Sequence, residues 1–172
     1  CSQYWLRSLT AMFSLLDRRP AEPTQGRSPA ASDVYKRQLC SGGLDGMVRA
    51  WSGADGALLR TLHGHTARVF SLAVGADGTV YSAGYDRSIR VWSGIDGSSL
   101  RVLEGHPGEH VCALAIAADG TLFCGSSDGT VRVWSDGEHV RTLVGHTGTV
   151  VALAIGTHGK LYSGSIDNTV RV

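Results

Sequence analysis

Histidine, serine, aspartate and tryptophan recur along the chain in a fixed order, and the first three are the residue types of a hydrolytic triad. The best-preserved set is His65, Ser82, Asp86 and Trp92. A nucleophilic serine needs one such set in one exposed place. Three further sets occur, namely Ser41, Asp45 and Trp51; His106, Cys124, Asp128 and Trp134; and His146, Ser163 and Asp167. Because repetition at constant spacing indicates a structural role, we expect no catalytic residues and no enzymatic activity.

The repeated histidines could also suggest zinc, but their distribution argues against a metal site. Zinc ligands converge within about 2 Å of one ion, whereas His65, His106 and His146 belong to separate repeat units. The four cysteines form no Cys-x-x-Cys pair. Three of them fall in predicted strands, where cysteine packs as a small hydrophobe. We therefore expect no metal and no cofactor, and reduced cysteines in an intracellular, cytoplasmic protein.

The repeat that carries these residues has a period of about 40 residues. Trp51, Trp92 and Trp134 are 41 and 42 residues apart, and an aspartate stands six residues before each. Three turn signals divide each unit; in the second unit they are Asp77-Gly78, Asp86-Arg87 and Asp96-Gly97. Three turns within 40 residues leave room for four short strands. In the second unit the strands are predicted at 69–74, 80–83, 88–92 and 99–103.

The innermost run of each unit is apolar at both odd and even positions, as in residues 111–117. A helix is the alternative for this run, but its length of seven residues and its flanking turn signals favour a strand. A strand that is apolar on both faces must be covered on both sides. Four-stranded sheets stacked face to face around an axis provide that cover, so the predicted class is all-β.

These features together resemble the WD-repeat β-propeller family, whose blades have four strands and a period of about 40 to 45 residues. The motifs that carry the resemblance are Gly-His, then Ser-x-x-x-Asp, then x-Val/Ile-Arg-Val-Trp. Serine follows each tryptophan, at Ser52, Ser93 and Ser135, where the family's name-giving aspartate would stand. The resemblance covers residues 39–172. It implies an incomplete propeller of four-stranded antiparallel blades, at 39–63 (partial), 64–104, 105–144 and 145–172 (partial).

The resemblance also gives the repeated polar sets a role as structural tetrads. In the family, the aspartate accepts hydrogen bonds from a loop and from the histidine, the histidine bonds the serine, and the serine bonds the tryptophan indole. Such a chain satisfies buried polar groups, each bond contributing about 1 kcal/mol. Cys124 stands where the third unit should have serine. Because a thiol is a weak hydrogen-bonding group, we expect this link to be the softest.

Residues 1–38 do not share the repeat. They hold three of the four prolines but one of the 23 glycines. Trp5, Leu9, Met12, Phe13 and Leu16 have the spacing of a short amphipathic helix, residues 20–31 suggest a disordered linker, and residues 32–38 resemble extraneous junction sequence. The predicted strands make about three and a half blades, fewer than the four to eight of closed propellers. We therefore expect a fragment whose partners include further WD repeats of the same full-length chain.

Charge and hydropathy exclude several classes of partner. The formal net charge is +1, and residues 39–172 hold 12 acidic and 10 basic residues, so we expect no nucleic acid and no membrane surface as a partner. No apolar run approaches the roughly 20 residues of a transmembrane helix. The family resemblance implies a non-catalytic protein–protein interaction scaffold. The alternative is a regulatory or substrate-recognition region of a larger enzyme, such as a ubiquitin-ligase subunit, a kinase or a nucleotide-dependent switch protein, whose catalytic domain lies elsewhere.

The family pattern also places a candidate partner-binding face. It is built from the residues that flank the first valine of each inner strand and the residue before each repeated aspartate. Here these are Leu44, Arg68, Phe70, Tyr85, His110, Cys112, Ser127, Thr149, Val151 and Ile166. Within it, a cluster combines a cation, two aromatic rings and an imidazole, namely Arg68, Phe70, Tyr85 and His110. Arginine and aromatic residues dominate binding energetics. The alternative is that Phe70 and Tyr85 pack the central channel, and the sequence leaves both open.

Overall fold

The computed structural model describes Ser14–Leu15 and residues 38–172. Most of the helix predicted for Trp5 to Leu16 lies outside the described residues. The linker predicted at 20–31 lies wholly outside them. The described part of the chain is built from strands, with one 3-10 turn at Thr157–Gly159. None of its helical segments has the length and apolar character required to cross a membrane. The predicted all-β class is confirmed.

Fifteen strands form four antiparallel sheets in the described residues. The first sheet contains β1 (Ser14–Leu15), β2 (Gln38–Gly42), β3 (Val48–Ser52) and β4 (Leu58–Leu62). The second contains β5 (Val69–Val74), β6 (Val80–Gly84), β7 (Ser88–Trp92) and β8 (Ser99–Glu104). The third contains β9 (Val111–Ile116), β10 (Leu122–Ser126), β11 (Val131–Ser135) and β12 (Glu138–Leu143). The fourth contains β13 (Val150–Ile155), β14 (Leu161–Ser165) and β15 (Val170–Arg171).

Each sheet is a meander in which consecutive strands are neighbours. Short turns make this order possible, and the strands predicted for the second unit match β5 to β8 within one residue at each end. The sequence predicts no strand before Leu39 in the first sheet. The structure nevertheless pairs Ser14 with Cys40 and Leu15 with Leu39, so that β1 takes the inner position.

The turn after the second strand of each sheet requires one residue in the left-handed region. Gly46 and Gly129 adopt φ of 76° and 81° there, at no steric cost. Arg87 and Asn168 stand at the same repeat position and adopt φ of 67° and 65°. Because side chains with a Cβ rarely take this conformation, the turn geometry is imposed by the strands on either side of it.

The sheets pack face to face, with the tryptophan-bearing face of one sheet against the preceding sheet. Trp92 of β7 lies in one core cluster with Val48 and Ala50 of β3. Trp134 of β11 lies in the next cluster with Ile89 of β7 and its neighbours. A backbone N–H at Leu114 also donates to the Ser71 hydroxyl across the second and third sheets, at 2.9 Å. The core therefore lies between sheets.

One position shows how completely this stacking buries a sheet face. Val48, Ile89 and Val131 precede the repeated arginine in the first three sheets, and their exposures are 0%, 0% and 3%. Val170 holds the same position in the fourth sheet and is 71% exposed. The difference arises because a following sheet covers each of the first three positions in the described structure.

Candidate functional site

The second sheet holds a complete chain of hydrogen bonds through its repeated polar residues. His65 Nδ1 lies 2.8 Å from Asp86 Oδ2, and His65 Nε2 lies 2.8 Å from Ser82 Oγ. The Trp92 indole N–H donates to the same Ser82 oxygen at 2.8 Å. Because a carboxylate only accepts, Nδ1 carries the imidazole hydrogen, and Nε2 accepts from the Ser82 hydroxyl. Every polar atom of this buried chain therefore has a partner.

The third sheet has the same chain with a thiol in the middle. The Trp134 indole N–H donates to Cys124 Sγ at 3.3 Å, and Cys124 Sγ lies 3.5 Å from His106 Nε2. His106 Nε2 also lies 3.2 Å from the Cys124 carbonyl oxygen, and its Nδ1 lies 3.2 Å from Asp128. The two contacts to Cys124 Sγ are longer than the matching contacts to Ser82 Oγ in the second sheet, because sulfur is larger and bonds more weakly than oxygen.

The two outer sheets hold parts of the chain. In the fourth sheet, His146 lies 2.9 Å from both Asp167 Oδ2 and Ser163 Oγ. In the first sheet, the Trp51 indole donates to Ser41 Oγ at 2.8 Å. Asp45, which has no histidine of this type before it in the repeat, instead pairs with Arg49 at 2.6 Å. The structure thus places the tetrad residues of the second, third and fourth sheets, and Ser41 with Trp51, beside their expected neighbours, whereas Asp45 pairs with Arg49. The role of these sets stays a prediction.

Burial governs the protonation of these sets. It lowers the pKa of His65 and of His106 below the ordinary value, although the neighbouring aspartates partly oppose this. Burial alone would raise the pKa of the Asp86 carboxyl, but hydrogen bonds from His65, the Thr66 N–H and Ser88 outweigh it and lower that pKa. Asp86 is therefore ionised and His65 neutral at neutral pH. His65 and Asp86 therefore form a hydrogen bond between a neutral imidazole and a carboxylate in the protein interior.

This geometry gives a nucleophile no access to a substrate. Ser82 is fully buried, and its oxygen already accepts from Trp92 while its hydrogen points to His65. Cys124 is equally buried, and burial raises the pKa of its thiol to about 11. Among the described residues, no three His, Cys, Asp or Glu side chains form a group suited to a metal ion. The contacts of these sets join a loop histidine to a strand, an arrangement that can hold the loop onto the sheet.

A second feature is an arc of backbone hydrogen bonds along one end of the sheets. The N–H of Tyr85 donates to the Arg68 carbonyl at 2.9 Å. The same contact joins Ser127 to His110, at 3.1 Å, and Ile166 to Thr149, at 3.0 Å. In each case the residue before the repeated aspartate meets the residue before the inner strand. These are two of the three positions in each repeat that the family resemblance nominated for a partner-binding face.

Side chains join the pairs from one sheet to the next. His110 Nδ1 lies 3.0 Å from the Tyr85 carbonyl, linking the third sheet to the second. The Thr149 hydroxyl donates to the Ser127 carbonyl at 3.4 Å, linking the fourth sheet to the third. We call the resulting continuous row the rim arc; its members are Arg68, Tyr85, His110, Ser127, Thr149 and Ile166.

Aromatic and cationic side chains cluster at one end of the rim arc. The imidazole of His110 stacks on the Tyr85 ring with centroids 3.5 Å apart and planes 18° apart. The Arg68 guanidinium lies over the Tyr85 ring, 5.2 Å from its centroid. Phe70 meets the same ring edge-on at 6.1 Å. Tyr85 remains 45% exposed, so the cluster lies at the surface of the described structure.

Four predicted residues are not members of the rim arc, namely Phe70, which contacts Tyr85, and Leu44, Cys112 and Val151. Leu44 is 73% exposed and Val151 is 36% exposed, and neither takes part in the aromatic and cation–π contacts described for the cluster. Cys112 is half-buried, and its Sγ lies 3.8 Å from the His110 carbonyl. Burial raises the pKa of the Cys112 thiol to about 11.

One residue of this region was missed by the sequence analysis. Glu109 Oε2 accepts a hydrogen bond from Ser127 Oγ at 2.7 Å, and Ser127 Oγ in turn accepts from the His110 N–H at 3.1 Å. The available signal was a spacing of 22 residues from His106 to Asp128, against 21 in the neighbouring units. The extra residue lies in the loop that contains Glu109.

Comparisons with known proteins agree with this architecture. The family model described as WD domain, G-beta repeat, matches residues 56–93, 97–135 and 137–172. Each matched segment begins with the outer strand of one sheet and ends with the three inner strands of the next. No curated protein gives a significant match.

The chain is also similar to a solved structure, the crystal structure of the computationally designed Ika4 protein. The two share 33% sequence identity, over 78% of this chain and 83% of that chain, with a TM-score of 0.69. The family model alone covers well over half of the sequence, and each of its repeats holds four described strands. The chain belongs to the WD-repeat family.

Proposed function

We propose that this chain is a non-catalytic protein-interaction scaffold that binds its partner at the cluster of Arg68, Phe70, Tyr85 and His110. WD repeats indicate an interaction propeller in general terms. The observation that carries the specific proposal is the stack of an arginine, a tyrosine and a histidine on an exposed rim. Arginine and tyrosine are enriched among the residues that contribute most to binding energy.

The cluster is supported by the backbone and so is organised before a partner arrives. The Tyr85 N–H is fixed by the Arg68 carbonyl, and the Tyr85 carbonyl is fixed by His110. A side chain that is already held in place loses little conformational entropy on binding, and this preserves affinity. The buried polar sets of each sheet give the loops behind this rim a rigid base.

The alternative role, as the recognition region of a larger enzyme, stays a prediction, as do the cytoplasmic location and the further repeats. That role would use the same face for a substrate protein. It is therefore tested by the identity of the partner.

The experiment is a selection of peptides from a random display library on the immobilised chain, followed by affinity measurements by biolayer interferometry. Arg68→Ala combined with Tyr85→Ala should weaken binding of the selected peptides at least tenfold, because it removes the guanidinium and the central ring of the stack. The matched control, Arg141→Ala with Tyr162→Ala, removes the same two residue types away from the cluster and should leave affinity within twofold.

Circular dichroism confirms that each variant is folded before its affinity is interpreted. Unchanged affinity in the Arg68 and Tyr85 variant overturns the proposal, as does a library that yields no binder.

A further inference from the structure

We infer that the partner segment at this cluster places an acidic side chain against Arg68. The inference rests on the proposed function and adds the chemical class of the ligand. It follows from which surfaces of the cluster are already used and which remain available.

Side chains of the chain itself already surround much of the Tyr85 ring. His110 covers one face at a centroid distance of 3.5 Å. The Arg68 guanidinium also lies over the ring, 5.2 Å from the same centroid. Phe70 takes part of the ring edge. A ligand cation such as an ammonium group needs an open aromatic face, and here it would compete with the imidazole and be repelled by the guanidinium.

The groups of the cluster that remain available to a ligand can donate hydrogen bonds, so they favour a ligand group that accepts them. The exposed Arg68 guanidinium carries N–H donors and accepts nothing. The phenolic hydroxyl of Tyr85 can donate as well. His110 Nδ1 lies 3.0 Å from the Tyr85 carbonyl, so the hydrogen on that nitrogen is already used inside the rim arc. A ligand carboxylate can therefore accept hydrogen bonds at the Arg68 end of the rim arc, whereas a ligand cation would be repelled by the Arg68 guanidinium.

The carboxylates that flank the cluster in sequence already have partners. Asp86 accepts from His65, from the Thr66 N–H and from Ser88. Glu109 accepts from Ser127, on the other side of His110. Within the described residues, no carboxylate lies at salt-bridge distance from the Arg68 guanidinium. The positive charge of Arg68 is thus exposed to solvent, beside the rings of Tyr85 and Phe70.

This arrangement suits an acidic side chain with an apolar neighbour in the ligand. The carboxylate would accept a charge-assisted hydrogen bond from Arg68, which is stronger than a neutral one. The apolar neighbour would lie on the exposed edge of Tyr85 and Phe70. The Glu109 carboxylate, which lies at Ser127, would repel an acidic ligand side chain there. We therefore expect that side chain to bind at the Arg68 end of the rim arc.

The test uses three acetylated and amidated peptides of sequence Ser-Gly-X-Leu-X-Phe-Gly-Ser, in which X is Glu, Gln or Lys. Isothermal titration of the whole chain at low ionic strength should rank them Glu, Gln, Lys, with the Glu peptide about fivefold or more tighter than the Gln peptide. Added salt should narrow this gap, because the pairing is exposed.

Three variants assign the preference to Arg68. Arg68→Gln should abolish the Glu-over-Gln preference, and Arg68→Glu should reverse the order so that the Lys peptide binds best. Arg141→Gln, the matched control on the exposed strand β12, should preserve the wild-type order. Glu109→Gln should leave the Glu peptide bound at least as tightly as the wild type binds it.

The inference is wrong if the Gln or Lys peptide binds the wild type as tightly as the Glu peptide, if none of the three binds, or if the preference survives Arg68→Gln. These results leave the proposed function standing as long as library-selected peptides still depend on Arg68 and Tyr85. Loss of that dependence would instead overturn the proposed function.

Discussion

The imidazole of His110 lies flat on the ring of Tyr85, although the two residues belong to different sheets. The same imidazole hydrogen-bonds the Tyr85 carbonyl at 3.0 Å. A stacked pair with a shared hydrogen bond fixes one sheet relative to the next at the rim. The contact therefore both supports the stacking of the sheets and shapes the surface that we propose for partner binding.

Removing a central hydroxyl tests the structural role of the polar sets. Ser82→Ala leaves His65 Nε2 and the Trp92 indole buried without their partner. We expect the free energy of unfolding, measured by urea titration with tryptophan fluorescence, to fall by about 2 kcal/mol. Ser41→Ala is the matched control and should cost less, because only the half-buried Trp51 bonds that serine among the described contacts. Equal and negligible losses in both variants would show that these sets do not stabilise the sheets.

Restoring serine in the third sheet tests the same idea from the opposite direction. Cys124→Ser replaces a weak acceptor with an oxygen that can bond both the Trp134 indole and His106. We expect the chain to gain about 0.5–1 kcal/mol of stability, since a neutral hydrogen bond contributes about that much. Differential scanning calorimetry would report this as a higher Tm. A lower Tm would mean that the sulfur volume matters more than the hydrogen bond.

Two valines at the same repeat position test the stacking of the sheets. Val131→Ala removes two methyl groups from a position that is 3% exposed and should cost about 2 kcal/mol. Val170→Ala makes the same change at a position that is 71% exposed and should cost less than about 0.5 kcal/mol. Chemical denaturation of both variants side by side measures the difference. Similar costs would contradict the packing described here.

The buried histidines make stability depend on pH. Burial holds the pKa of His65 and His106 below 6.5, the ordinary value that they regain on unfolding. The unfolded chain therefore binds more protons as the pH falls through 6.5, and stability decreases. Urea titrations at pH 8, 7, 6 and 5 should show a declining free energy of unfolding.

The variant His106→Gln should flatten this decline, because it removes one of the two shifted groups. A free energy of unfolding that stays level or rises as the pH falls from 8 to 5 would contradict the assignment.

The repeat made much of the fold predictable from the sequence. Turn signals such as Asp77-Gly78 and the fixed spacing from Asp86 to Trp92 depend on local geometry, and they located the strands of the second sheet within a residue. The neighbours of Ser82 followed from the family resemblance. Whether these neighbours serve as a structural tetrad is still to be tested by the variants above.

Contacts between sheets were harder to predict. The family resemblance nominated Arg68, Tyr85 and His110 for one face, but their stacking depends on rotamers that the repeat pattern does not specify. Glu109 was missed because a single extra loop residue gives little signal. The strand β1 was missed because its pairing with β2 spans more than 20 residues of chain that carry no repeat motif.

Amide hydrogen exchange followed by NMR, with and without a library-selected peptide, locates the binding surface residue by residue. If the rim cluster is the partner site, exchange should slow at Phe70, Tyr85 and His110 and stay unchanged at His146 and Ser163 of the fourth sheet. Protection confined to the buried polar sets, or no change at the cluster while the peptide is bound, would contradict a chain that folds around its repeated tetrads and binds through its rim.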